Sequence, residues 1–297
     1  MRVLVTGATG FVGSAVVQEL LAAGYQVVGL ARTDAAEVAL KALGVEARRG
    51  LLEHVDGLRA AAASVDGVIH TAFNHDFSRF AANCELDRRA ITALGEGLLG
   101  TNRPLLVTSG VALLAQGRPA QERDMPPPPG EAYPRASEAA ADALLERGLR
   151  VGVVRLPPSV HGDGDHGFIP MLIQLARERG ASGYVEAGAN RWAAVHRLDA
   201  ARVFRLALDA NEAGARYHAV GDEGVPFREI AGVIARRLGL PLVGKSGADA
   251  AAHFGWFTHF ASADMAAASA WTRERLGWRA LRPGLLADVD RSAYFGQ

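Results

Sequence analysis

Residues 3–13 decide the fold, and they read Val3-Leu4-Val5-Thr6-Gly7-Ala8-Thr9-Gly10-Phe11-Val12-Gly13. The apolar run predicts a strand, and the apolar segment that starts at Phe11 predicts a helix. Gly7 allows a tight turn, Gly10 lets the backbone approach a pyrophosphate, and Gly13 lets the helix pack closely on the strand. The N-terminus of the helix then faces the anion. The stretch therefore predicts a dinucleotide site with contacts from Gly7, Thr9, Gly10, Phe11, Val12 and Gly13.

The end of the second predicted strand indicates which dinucleotide binds. A carboxylate at this place accepts the ribose hydroxyls of NAD and repels a 2′-phosphate. Here the sequence reads Leu30-Ala31-Arg32-Thr33, with no acid and with an arginine at hand. The sequence therefore predicts NADP(H), with Arg32 at the 2′-phosphate. The alternative is that Arg32 is a solvated loop residue.

The first half of the chain alternates short β-branched runs with longer helical segments, which is typical of a parallel sheet. The predicted fold class is α/β, a doubly wound parallel sheet (Rossmann) with a smaller C-terminal substrate lobe. Residues 1–160 and 195–221 are assigned to the NADP-binding core, and residues 161–194 and 222–297 to the lobe. The predicted strands are Val3–Thr6, Gln26–Ala31, Glu46–Arg49, Gly67–Ala72, Leu105–Ser109, Val151–Leu156 and Tyr217–Val220.

Composition narrows the possible partners. The 297 residues include 32 basic and 32 acidic side chains, so no net charge attracts nucleic acid or an anionic membrane. The single cysteine, Cys84, excludes an internal disulfide and a multi-cysteine metal site. No stretch approaches the roughly 18 apolar residues of a spanning helix. We expect a cytoplasmic protein, monomeric or homodimeric, with a small-molecule substrate and no nucleic-acid or membrane partner.

Motifs along nearly the whole chain resemble those of the extended short-chain dehydrogenase/reductase superfamily, which includes nucleotide-sugar epimerases, dihydroflavonol-type reductases and 3β-hydroxysteroid-type dehydrogenases. The resemblance implies that Ala72 lies beside the nicotinamide ribose, that Pro157 and Ser159 border the nicotinamide, and that the lobe holds substrate. The motifs are Thr6–Gly13, Asp66–Ala72, Leu106–Ser109, Arg155–Pro157 with Val160–Gly162, Val195–Asp199 and Leu276–Trp278.

The chain departs from this superfamily at one catalytic position. Members usually carry a serine, a tyrosine and, four residues after the tyrosine, a lysine that holds the ribose and lowers the pKa of the tyrosine. The resemblance makes Tyr133 the proton donor, but Ser137 stands where the lysine belongs. We expect a helix from Pro134 that places Tyr133 and Ser137 on one face. Arg135 or Arg155 could supply a fixed positive charge. Tyr133 is otherwise a partly buried loop aromatic.

The remaining candidates have two interpretations each. Ser109 either polarises a substrate carbonyl or caps its strand, because the reactive serine of the family is often the next residue, here Gly110. His161, Trp192 and His196 are candidate substrate contacts, and either histidine is a substitute acid. The loop 161–167, with its histidines and aspartates, is interpreted as solvated or substrate-facing, without metal. The aromatic cluster 253–260 is either a wall of the substrate pocket or the core of the lobe.

The leading hypothesis is an atypical NADP(H)-dependent short-chain reductase or dehydrogenase. Its substrate would be a small or medium organic carbonyl compound or alcohol, with hydride carried by the cofactor. A second hypothesis is an enzyme of the nucleotide-sugar epimerase or dehydratase type. A third is a non-catalytic NADP(H)-binding sensor or interaction protein, in which the lysine is lost because no chemistry is needed. Turnover distinguishes the third hypothesis from the other two.

Overall fold

A parallel sheet in the strand order β10-β6-β5-β4-β1-β2-β3 forms the centre of the computed structural model, which describes residues 1–112, 114–115 and 117–296. The order reverses between β1 and β4, which is where an open α/β sheet leaves a crevice for ligands at its carboxyl edge. The strands are β1 (Arg2–Thr6), β2 (Gln26–Ala31), β3 (Glu46–Arg49), β4 (Gly67–His70), β5 (Leu105–Gly110), β6 (Val151–Leu156), β7 (Ser159–His161), β8 (Ser182–Val185), β9 (Arg191–His196), β10 (Arg216–His218), β11 (Asp222–Pro226) and β12 (Leu242–Lys245).

Helices cover both faces of this sheet, so its central strands β1, β4, β5 and β6 are largely buried. Val3 and Val5 of β1 pack into one apolar cluster with the helices α1 and α7, and Leu4 packs into the other cluster with α3, α4 and α5. The helices are α1 (Phe11–Ala22), α2 (Asp34–Ala42), α3 (Val55–Ala63), α4 (Phe80–Glu96), α5 (Ser137–Glu146), α6 (Phe168–Arg179), α7 (Arg197–Ala210), α8 (Phe227–Leu238), α9 (Gly247–Phe254), α10 (Thr258–Ser262), α11 (Ala270–Leu276) and α12 (Leu285–Val289).

The predicted doubly wound parallel sheet is confirmed, with small differences at strand ends. β4 ends at His70 rather than at Ala72, and the last strand of the sheet spans Arg216–His218 rather than Tyr217–Val220. Smaller sheets, β11-β9-β7 and β12-β8, lie outside the central sheet. The expected boundaries at 160/161 and 194/195 run through β7 and β9, so this small sheet joins the two expected parts.

The expected helix from Pro134 is wrong, because α5 begins at Ser137. Tyr133 lies in a turn in which its N–H donates to the Gly130 carbonyl, while the Gly130 N–H donates to the Tyr133 carbonyl. A residue that precedes proline is also disfavoured in helical conformation. Tyr133 and Ser137 therefore do not share a helix face.

Candidate functional site

The glycine loop has the geometry of a phosphate cradle. Gly7 has φ +68°, and its carbonyl accepts the N–H of Gly10 at 2.8 Å. A Cβ at Gly13 would lie 2.0 Å from the Gly7 carbonyl oxygen, so only glycine fits there. Gly10 is exposed, and a Cβ there would approach only that same oxygen, at 3.1 Å. The open side of Gly10 is thus free for a ligand beside the first-turn N–H groups of α1.

This cradle fits the nicotinamide dinucleotide that the sequence predicts. The first-turn N–H groups have no acceptor within the helix and face the place where a pyrophosphate would lie. A Cβ at Gly7 would lie 2.8 Å from the backbone nitrogen of Ala72, so the glycine loop and the segment after β4 are in direct contact. Ala72 is half-buried at the carboxyl edge of the sheet, in the crevice between β1 and β4.

The adenosine end of this cradle carries arginines. Arg32 is exposed directly after β2. Strand register pairs Ala31 with Arg49 of β3, which brings a second guanidinium to the same edge. Arg49 bonds Asp34 at 2.8 Å, an exposed ion pair that water screens. The sequence pattern missed Arg49, because its position depends on the register between two strands.

Arg197 is a further cation that the sequence analysis missed. It lies in the first turn of α7, and its guanidinium donates to the Ser14 hydroxyl of α1 at 3.2 Å and to the Asp163 carbonyl at 2.8 Å. The same group stacks over the Phe11 ring, 4.8 Å from its centroid. A fixed positive charge therefore lies beside the first turn of α1, where a pyrophosphate would bind.

Tyr133 is half-buried in the turn before α5, and its hydroxyl makes no hydrogen bond to any residue that the structure describes. Burial raises the pKa of this phenol above its usual value, and the positive charge of Arg135 opposes the shift in part. The phenol is therefore protonated at neutral pH, and it is a weaker acid than one whose pKa matches that pH.

Ser109 has a buried carboxylate as its neighbour. Its hydroxyl lies within hydrogen-bonding reach of Glu138, which pairs in a bidentate manner with Arg155 at 2.9 and 2.7 Å. Burial alone would raise the pKa of the Glu138 carboxyl, but the hydrogen bonds and charge of Arg155 outweigh it and hold the pKa below its usual value. An ionised carboxylate only accepts hydrogen bonds, so it competes with a substrate carbonyl for the O–H of Ser109.

Ser137, which stands at the position of the family's lysine, also has a hydrogen-bond partner for its hydroxyl. Its hydroxyl donates to Asp87 of α4 at 2.6 Å. The other oxygen of Asp87 lies 3.0 Å from His70 Nε2, and His70 Nδ1 lies 2.7 Å from the Thr6 hydroxyl. These buried groups form a chain of hydrogen bonds from α5 to the end of β1. Ser137 therefore has a structural role, because it links α5 to α4 and, through it, to the sheet.

The predicted nicotinamide and substrate contacts lie along β6, β7 and β9. Pro157 and Ser159 are buried, and the Ser159 hydroxyl has no hydrogen-bond partner among the described residues. His196 is half-buried and caps α7 by accepting the Leu198 N–H at 3.2 Å. On β7 the side chains of Ser159 and His161, two residues apart, lie on the same face of the strand.

The other two predicted substrate contacts are fully buried. His161 Nδ1 bonds Asp288 of α12 at 2.8 Å, and the Trp192 indole donates to the Phe260 carbonyl at 3.2 Å. Burial alone would raise the pKa of the Asp288 carboxyl, but the His161 hydrogen bond and the neighbouring positive charges together hold that pKa below its usual value. Neither ring presents a surface to a ligand in this structure, and the substrate contacts assigned to them stay predictions.

Within the described ranges no three His, Cys, Asp or Glu side chains are grouped so that they could hold a metal ion. The loop after β7 is bonded to the C-terminal part of the chain, since Tyr294 donates to Asp165 at 3.1 Å and Arg291 bonds Asp163 at 2.8 Å. In the same part of the chain no helix is both long and apolar enough to cross a bilayer.

Comparisons with known proteins agree with this geometry. The model of the NAD dependent epimerase/dehydratase family matches residues 3–220. An uncharacterized protein of Schizosaccharomyces pombe is 46% identical over 298 residues, which cover 99% of this chain and 100% of that protein. A 4-hydroxy-2-methyl-3-oxo-4-farnesyl-3,4-dihydroquinoline-1-oxide ketoreductase of Stigmatella aurantiaca is 28% identical over 270 residues, or 86% of this chain and 80% of the relative.

A solved dTDP-glucose 4,6-dehydratase from Streptomyces venezuelae, with NAD bound, superposes with a TM-score of 0.78 at 22% identity and covers 100% of this chain and 97% of its own. The chain therefore belongs to the NAD-dependent epimerase/dehydratase family, whose members use a nicotinamide cofactor. The resemblance to the extended short-chain dehydrogenase/reductase superfamily is confirmed with it.

Proposed function

We propose that this protein is an NADP(H)-dependent reductase of a small or medium organic carbonyl compound with an apolar body. The observation that carries the proposal is the Tyr133 phenol, protonated, half-buried and unbonded among the described residues. The Ser137 hydroxyl already donates to Asp87, and Ser109 lies beside the buried Glu138 carboxylate, which favours Tyr133 as the proton donor.

The NADP(H) preference is supported by charge at the end of β2. Arg32 is exposed there without an acidic residue on the strand end, and Arg49 lies on the neighbouring strand. A 2′-phosphate would gain charge-assisted hydrogen bonds from these groups. Arg197, beside the first turn of α1, would add a positive charge near the pyrophosphate.

The chain's own part in the reaction is to position the substrate and to supply a proton. When bound, the reduced nicotinamide supplies a hydride to the carbonyl carbon. The carbonyl oxygen gains the electron pair of the broken C=O π bond and takes the proton from the Tyr133 hydroxyl. The step leaves a phenolate, which takes up a proton again because burial holds the pKa of this phenol above its usual value.

An apolar substrate body is supported by the aromatic side chains around the crevice and by one relative. Phe77 and Trp256 lie 5.6 Å apart between the loop after β4 and the lobe, and both are exposed. The Stigmatella relative is a ketoreductase of a farnesyl-bearing quinoline compound, according to its name. Both features favour an apolar carbonyl compound over a nucleotide sugar.

The test is consumption of NADPH with a panel of aldehydes, ketones and β-keto acids, measured for the wild type and for Tyr133→Phe. The proposal predicts turnover with an apolar carbonyl compound and its loss in the variant. Conversion of a nucleotide sugar without net NADPH consumption would favour the epimerase or dehydratase hypothesis. NADPH binding without turnover of any compound would favour the sensor hypothesis.

A further inference from the structure

The guanidinium of Arg135 is a half-buried cation with unused donors. It stacks on the ring of Phe73 at 4.6 Å and lies 5.7 Å from the ring of Phe80. It makes no salt bridge and no hydrogen bond with the residues that the structure describes. A guanidinium has five N–H donors, and removing a charged group from water without a partner costs free energy.

Other arginines of this chain that are buried or partly buried use their donors internally. Arg155 pairs with Glu138, Arg205 with Glu19, and Arg191 with Asp264. The buried carboxylates of α4 and α5 are already bonded, Asp87 by His70 and Ser137 and Glu138 by Arg155. The N–H donors of Arg135 are therefore available to a group that is not part of the folded core.

Aromatic rings continue from Arg135 toward the lobe. We call this surface the aromatic wall, and it consists of Phe73, Phe77, Phe80, Phe168, Trp256 and Phe260. Phe77 stacks on Phe80 at 5.8 Å and contacts Trp256 at 5.6 Å. Phe77 is 37% and Trp256 58% exposed, so two adjacent aromatic rings of this wall face solvent. Exposed apolar surface of this kind marks a binding site.

The position of Arg135 connects this surface to the cofactor crevice. Phe73, on which Arg135 stacks, directly follows Ala72, and the backbone of Ala72 touches Gly7 of the glycine loop. A ligand held by Arg135 would thus lie next to the carboxyl edge of β1 and β4. A cation at one end and an apolar surface at the other match an apolar compound with one anionic group.

We propose that Arg135 binds the carboxylate of a substrate whose aromatic or aliphatic body lies against the aromatic wall. A guanidinium binds a carboxylate through two parallel hydrogen bonds, and stacking on Phe73 fixes its plane. The inference rests on the proposed function and names its substrate class, carbonyl compounds that also carry a carboxylate.

The experiment measures binding of trans-cinnamate and of its neutral amide by calorimetry, with and without NADP⁺. The two probes share a ring and a length and differ in charge. We expect the wild type to bind cinnamate roughly tenfold more tightly than the amide, because a bidentate charged pair forms only with the carboxylate. Equal affinities, or no binding of either probe, would overturn the proposal.

Variants test whether the preference for cinnamate depends on Arg135 itself or on a general effect of removing a positive charge. In Arg135→Gln the preference for cinnamate should disappear while affinity for the amide stays, which also shows that the variant is folded. Arg135→Lys should keep part of the preference. Arg89→Gln, an exposed arginine on α4, is the matched control and should behave as wild type. Preference that persists in Arg135→Gln contradicts the assignment.

The aromatic wall is tested in the same assay. Trp256→Ala should weaken the binding of both probes by a similar factor. Unchanged binding of both probes would contradict a ligand on this wall. If Arg135→Gln alters only the pH profile of turnover and not cinnamate binding, the cation serves Tyr133 and the ligand assignment fails. Charge discrimination without turnover of any carbonyl compound would instead retain the Arg135 site and reject the reductase function.

Discussion

Gly10 and Gly13 lie one helical turn apart, yet the structure gives them different roles. A side chain at Gly10 would extend into the open side of the loop, where the pyrophosphate would lie. A Cβ at Gly13 would collide with the Gly7 carbonyl. Gly10→Val should therefore lose cofactor binding with little change in melting temperature. Gly13→Ala should be destabilised by about 1–3 kcal/mol or more, as overpacked cores are.

Calorimetry for cofactor binding and thermal melts for stability check this pair. Normal cofactor binding by folded Gly10→Val would mean that the loop is not at the phosphates.

Arg32 decides cofactor preference if it binds the 2′-phosphate. We expect NADPH to bind more tightly than NADH, and Arg32→Ala to weaken NADPH by about tenfold while NADH is unaffected, since only NADPH offers a phosphate to this side chain. Titration of both cofactors against both proteins measures this. Equal affinities of the wild type for the two cofactors would contradict the NADP(H) assignment.

Tyr133 and Ser137 make a second contrast between residues. Tyr133→Phe should slow carbonyl reduction by roughly 10²-fold or more, because a positioned general acid contributes that much. Ser137→Lys should bring no acceleration, because the buried Ser137 hydroxyl already bonds Asp87 and α5 starts only at this residue. Single-turnover oxidation of NADPH compares the three proteins. Faster reduction by Ser137→Lys would contradict this prediction, because it would show that a lysine at position 137 can reach the reacting groups.

At the scale of elements, the buried pair between Glu138 of α5 and Arg155 of β6 joins helix to sheet. Glu138→Gln should cost about 3–5 kcal/mol at pH 7, because Arg155 keeps a buried charge without its partner. Asp142→Asn, on the same helix but half-exposed, should cost under about 1 kcal/mol. Chemical denaturation of both variants checks the difference.

The same pair predicts a pH dependence. The pKa of Glu138 is lower in the folded protein than in the unfolded chain. Its contribution is therefore fully present above the unfolded pKa of about 4.3, and it is lost as pH falls from there through the folded pKa. Wild-type stability should fall more steeply than that of Glu138→Gln below about pH 4.3. If the stability of the two proteins falls with the same slope below about pH 4.3, this role for the pair is contradicted.

Elements with strong local patterns were predictable, and those set by turns or remote pairing were not. The strand Val3–Thr6 and the helix from Phe11 follow from apolar periodicity bounded by glycine. The start of α5 was mispredicted because the turn at Gly130 and the proline after Tyr133 override the helical spacing. The short strands β8 and β12 were missed, because each is stabilised by pairing with the other, far along the chain.

At the scale of the whole molecule, the sequence predicts the fold and the cofactor loop better than the rest of the site. Residues of the loop are contiguous, so their spacing carries the prediction. The bonds of Ser137 to Asp87 and of His161 to Asp288 join residues 50 and 127 positions apart, which no local pattern indicates. Arg135 was recognisable only as an available charge, since its contact with Phe73 depends on the fold.

The central claim is that this site transfers hydride to a carbonyl carbon and a proton from Tyr133 to its oxygen. The most direct measurement is mass spectrometry of the product formed from an apolar keto acid with NADPH deuterated at the transferable C4 position. We predict one deuterium on the new alcohol carbon in the wild type and almost no product in Tyr133→Phe. Product without deuterium, or equal product from Tyr133→Phe, would contradict the account.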